Sequence, residues 1–179
     1  HVTGVQTCAL PIGKIFRYIT QLSLSNTKAG VEKSINTIAQ QTTNLATAAK
    51  AIKDMLYDID RLYDAQSSEE QAFLRNLRYQ IINSVQAFEK TRRGEDDTMD
   101  AIDDAYRQIS DSHKNNMTLI HDISNNHTIT SEMTTIAVND LHLSKSFTKA
   151  LRNVLRLHTE LPLQTKDALV SASAEEKET

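Results

Sequence analysis

Between Val31 and Tyr63 the apolar residues fall at alternating steps of four and three: Val31, Ile35, Ile38, Leu45, Ala49, Ile52, Leu56, Ile59 and Tyr63, with Thr42 as the one polar member. Only a helix returns every third or fourth side chain to the same face, so a 3.5-residue period held for more than four repeats predicts one long amphipathic helix. A strand would need alternation at every second residue, which is absent. At 1.5 Å per residue the helix is about 50 Å long. An oily edge of that length has to be buried against something, and this requirement constrains the rest of the chain.

The remaining sequence supplies partners of the same kind. Asp64-Ala65-Gln66-Ser67 breaks the first pattern, and Ser68 followed by Gln71 has the spacing of a capping box opening a second helix. That helix carries Phe73, Leu74, Leu77, Ile81, Val85 and Phe88 on one stripe. It ends with Lys90, Arg92 and Arg93 before Gly94, cations that complement the last free carbonyls and a residue that tolerates the left-handed cap. A third helix follows with Met99, Ile102, Tyr106, Ile109, His113, Met117, Ile120 and Ile123, its first turns rich in acid at Glu95, Asp96, Asp97 and Asp100. After Ser124-Asn125-Asn126-His127, a fourth begins near Thr130. Its stripe is Ile136, Leu143, Phe147, Ala150, Val154, Leu157 and Leu161, broken once by Asp140 and ended by Pro162. The expected fold is all-α, an antiparallel bundle of four long amphipathic helices over residues 27–162.

The two ends differ from this body. Residues 1–12, HVTGVQTCALPI, show no charge and no helical or strand period, and they resemble the in-frame translation of a common sequencing-library adapter. They are set aside from the fold reasoning as a foreign segment, with the expectation that the natural reading frame continues upstream. Without Cys8 no cysteine remains, a usage that fits a reducing compartment. Residues 13–26, with Ile15, Phe16, Tyr18, Ile19 and Leu22, form a lead-in helix or a linker. Residues 163–179 are polar, acidic and rich in Ala and Ser, and are expected to be a disordered tail.

Composition narrows the function. With 20 basic residues against 23 acidic ones and aromatics at only 5%, the chain has neither the field nor the stacking surfaces of a nucleic-acid binder. No apolar run approaches the ~20 residues of a membrane span. The motifs of nucleophilic catalysis, phosphate-cradling loops and di-iron bundles are missing, and four Gly leave few tight turns for an oxyanion hole. The expectation is a non-enzyme without cofactor. Asp96, Asp100 and Asp104 recur every four residues with Asp103 beside them, a face suited to Mg²⁺, Ca²⁺ or iron, or simply to a solvated helix start. Lys145, Lys149, Arg152 and Arg156 make a basic stripe on the fourth helix, a candidate contact surface for anionic lipid, an acidic partner or those aspartates. His113 lies on the third stripe and is expected to be a hydrogen-bonded interior residue; no His pair has the sequence spacing of a zinc site.

Three stretches carry a family resemblance: Ser67-Ser68-Glu69-Glu70 after a long helix ending Tyr57-Asp58-Ile59-Asp60-Arg61-Leu62-Tyr63; Ser131-Glu132-Met133-Thr134-Thr135; and Asn139-Asp140-Leu141. Over residues 22–161 the chain resembles the PhoU-like helical domain that follows the membrane part of bacterial sodium/phosphate cotransporters. The family's metal motif takes carboxylates at the fourth and eighth positions of its Asn-Asp-Leu signature, where this chain has His142 and Ser146. The resemblance implies a regulatory or docking domain at the cytoplasmic face of the bacterial inner membrane. Its partner would be the membrane-embedded transporter part of the same polypeptide or a regulatory protein, with a homo-oligomer as a further possibility. The alternative is a stand-alone signalling or interaction module, either a PhoU-type regulator or a chemoreceptor-like coiled coil.

Overall fold

The computed structural model describes residues 3–24, 29–62, 68–93, 99–125 and 130–159. They form five helices: α1 (Thr3–Leu24), α2 (Ala29–Leu62), α3 (Ser68–Arg92), α4 (Asp100–Asn125) and α5 (Ser131–Thr159). Among the described residues there is no strand, so the all-α expectation holds, with five helices in place of four. The extra one is α1, which runs from the segment set aside as foreign through the lead-in or linker segment and carries Pro11 inside it. Helical spacing of Ile15, Phe16, Ile19 and Leu22 gives α1 an edge to lay on α2, and of these Ile19 is buried. The acidic tail and Pro162 lie outside the described residues.

Local signals set the helix starts. Thr130 precedes α5, and its Oγ1 accepts a hydrogen bond from the Met133 amide at 3.2 Å, satisfying one of the free N–H groups of the first turn. α3 opens at Ser68, as the capping-box spacing predicts, and carries Lys90 and Arg92 in its last turn.

α5 is the hub. It shares its largest interface with α2 and packs also on α4 and α3. Cross-helix hydrogen bonds record the directions. Gln41 Nε2 donates to the Val154 carbonyl at 3.2 Å, Asn153 Nδ2 to Asn44 Oδ1 at 3.4 Å, and Asn139 Nδ2 to Asp58 Oδ2 at 3.4 Å, so numbers rise along α2 as they fall along α5. Against α4 the order again reverses, from Asp103–Arg152 through His113–His142 to Ser124–Thr134.

α2 buries its heptad edge only in part: Ile35 and Thr42 are inside, but from about residue 45 onward the buried face shifts. Ala48, Ala51 and Met55 are buried, whereas Val31, Leu45 and Leu56 are 48%, 39% and 50% exposed. From Ala48 to Met55 the buried line sits one residue before that edge, about 100° round the helix. There the two alanines pack in one cluster with residues of α5, and the bulkier Leu45 and Leu56 lie on the flank. Ala48, Ala51 and Met55 join Ala87, Ile102, Ala105, Phe147, Ala150, Leu151 and Leu155 in one apolar cluster. A second gathers Phe73, Leu74, Leu77, Ile120, Ile136, Ala137 and Leu141. Between the two clusters α5 contributes Ser144, which like Asp140 and Thr148 has no solvent exposure.

Candidate functional site

The polar side chains around Ser144 fall into two kinds. The hydroxyls satisfy themselves locally, because Ser and Thr in a helix can bond back to the preceding turn. Ser84 Oγ donates to the Gln80 carbonyl at 2.8 Å, Ser144 Oγ to Leu141 O at 2.9 Å and Thr148 Oγ1 to Ser144 O at 3.1 Å. Ser84 and Thr148 also meet across α3 and α5 at 2.8 Å. Asp140 is the other kind. It is fully buried, and neither carboxylate oxygen has a donor. Its neighbour is the Asp58 carboxylate of α2, and burial first, then that like charge, push Asp140 up to about 7. In the sequence Asp140 is only the polar break in the α5 stripe, and Asp58 is one acid among several; their encounter exists only once α2 and α5 pack.

His113 is not the hydrogen-bonded interior residue expected. Its Nδ1 is buried without a partner, and its ring stands 5.0 Å from that of His142, tilted by 54°. Burial lowers its pKa, with His142 and Lys145 adding to the shift, so it stays neutral near pH 7. Residues 29 positions apart carry no pairing signal in the sequence. Lys145 beside the rings opposes a bound cation there.

The two charged stripes dissolve into separate contacts. Asp96 lies outside the described residues, since α4 is described from Asp100. Asp100 is exposed, and Asp104 accepts from Arg107 one turn along at 2.8 Å. Asp103, merely the neighbour in the spacing argument, is the one that crosses to α5: Arg152 Nε donates to it, with the guanidinium 5.3 Å from the Tyr106 ring centroid. Arg152 is therefore a partly buried inter-helix tie, 27% exposed, not a free surface cation. Lys145 is half-buried against α4, Lys149 is exposed, and Arg156 lines an open groove of about 470 Å³ with Gln40, Thr43, Asn44, Asn153 and Leu157. Among the described residues no three His, Cys, Asp or Glu side chains converge as a metal site would require.

A helical protein organised around one central helix, with a polar stretch in its interior, is the class that fold and site define. No protein-family model, curated protein or solved structure matches the chain. No helix among the described residues is long and apolar enough to cross a membrane.

Proposed function

We propose that this chain is a non-catalytic docking domain in which α2 to α5 form an antiparallel four-helix bundle and the outer faces of α1 to α3 receive a partner. One observation carries the reading. Of the large apolar side chains left exposed among the described residues, three lie on each of α1, α2 and α3, one on α4 and none on α5. Val31, Leu45 and Leu56 on α2 and Tyr79, Ile82 and Val85 on α3 keep apolar surface in water at a cost that a partner would remove. The reversed order of contacts along α2–α5 and α4–α5 supports the bundle.

The resemblance to the PhoU-like domain supplies the partner in this proposal: the membrane part of a sodium-dependent phosphate transporter, encoded upstream, with the domain at its cytoplasmic face. Lys149 and Arg156, the basic-stripe members that are most exposed, would meet acidic groups at the rim of that contact. The test is the complete reading frame upstream of Gly13, followed by photo-crosslinking from Leu56 and Tyr79 in the whole protein. Apolar segments of ~20 residues upstream, and crosslinks to them or to their connecting loops, are the expected result. A frame with no such segment overturns the transporter reading and leaves the stand-alone interaction module.

A further inference from the structure

The α2–α5 contact holds a group that docking does not use. Asp140 has no solvent exposure, and it faces Asp58 across the interface. Ionised carboxylates are acceptors only, so the two cannot bond to each other, and neither oxygen of Asp140 finds a donor elsewhere. The amide of Asn139 gives its hydrogen to Asp58 instead. A bare carboxylate with no solvent exposure is among the costliest groups a core can hold.

Among the described residues its surroundings offer no relief by charge. On α2 the charge that reaches Asp140 is Asp58. On α4 the titratable group packed against this part of α5 is His113, whose pKa burial, His142 and Lys145 hold below the ordinary histidine value. α3 brings Phe73, Leu74 and Leu77 to the stretch around Leu141. A divalent cation would draw six or more oxygens from carboxylates, carbonyls and water. The pair offers at most four, and no third acid or histidine converges with them among the described residues. One proton meets the need fully, since it turns one carboxyl into an O–H donor and leaves the other as its acceptor.

We propose that Asp58 and Asp140 act as a one-proton latch between α2 and α5, closed while the pair holds a proton and loosened when the proton leaves. The inference rests on the interface alone and stands whether or not a transporter is the partner. With Asp140 raised to about 7, the folded chain keeps a proton that the unfolded chain releases near its ordinary value of 3.8. The latch contribution to stability is therefore complete below about pH 4, falls as pH rises through about 7, and is level above that.

Two measurements on the full chain test it. In the first, the side-chain carboxyl carbon of Asp140 is followed by NMR from pH 4 to 9, assigned by its loss in Asp140→Asn. A midpoint near 7 is expected, moving down in Asp58→Asn; a midpoint in the ordinary carboxylate range overturns the proposal. In the second, urea unfolding of the natural chain and of Asp140→Asn is compared at pH 5 and pH 8, because the asparagine amide donates to Asp58 at either pH. The natural chain should lose roughly tenfold or more in folding constant relative to the variant between the two. A ratio that does not change with pH overturns the latch. Stabilisation of the natural chain, but not of Asp140→Asn, by Mg²⁺ or Ca²⁺ at pH 8 also overturns it, in favour of a cation in place of the proton. Should Asp140→Asn fail to fold, the NMR titration of the natural chain and of Asp58→Asn decides alone.

Discussion

α2 and α5 share the largest contact in the molecule and bring opposite surfaces to it. α5 buries nearly the face its spacing announces, with Ile136, Phe147, Ala150 and Val154 all inside, and widens it with Leu141, Leu151 and Leu155. α2 buries Ile35 and Thr42 of its heptad edge, but further along it buries Ala48 and Ala51 and leaves Leu45 and Leu56 on the flank. The contrast teaches that burial follows where the neighbouring helices lie as much as hydrophobicity. A helix surrounded on several sides buries whatever is large. One that packs mainly on a single neighbour buries the face that allows the closest approach, because dispersion falls steeply with any gap.

Truncations rank the two surfaces. Phe147→Ala, at a side chain 5% exposed in the central cluster, should cost about 3–5 kcal/mol in urea unfolding, the largest effect expected. Ala51→Leu adds volume where α2 and α5 approach, and a loss of about 1–3 kcal/mol from overpacking is expected. A stabilising Ala51→Leu would mean that the α2–α5 contact has room to spare and that the contrast is mistaken. Leu56→Ala removes a residue of the heptad edge that is half exposed, so about 1 kcal/mol or less should be lost. If Leu56→Ala proved as damaging as Phe147→Ala, the heptad edge and not the alanine face would be the one in contact. Smallest of all, Lys149→Ala on the exposed side of α5 should change stability by under about 0.5 kcal/mol.

The candidate site was legible in unequal parts. Asp140 stood out as the one acid at a stripe position of α5, but its meaning depends on Asp58, 82 residues earlier, and no local pattern links the two. The His113–His142 pair was hidden for the same reason. The spacing rule for histidine ligands looks along one helix, whereas these rings meet across two. The charged stripes were visible as stripes, yet a stripe says only that residues share a face. Which neighbour that face meets turned Arg152 towards Asp103 and left Lys149 in water. Asp103 stands beside the four-residue rhythm of Asp100 and Asp104, and nothing local says that its face is the one that meets Arg152.

Helical period, caps and breaks are written in short windows of residues, because backbone hydrogen bonds and side-chain directions in a helix are settled within about four positions. The sequence alone therefore determined that the described residues build an all-α fold and where α3 and α5 begin. Axis separation, the α2 face that is buried and the meeting of Asp58 with Asp140 are sums over contacts between segments far apart in the chain. Those were decided only when whole helices packed, since the energy of a close approach belongs to the pair of surfaces and to neither one by itself.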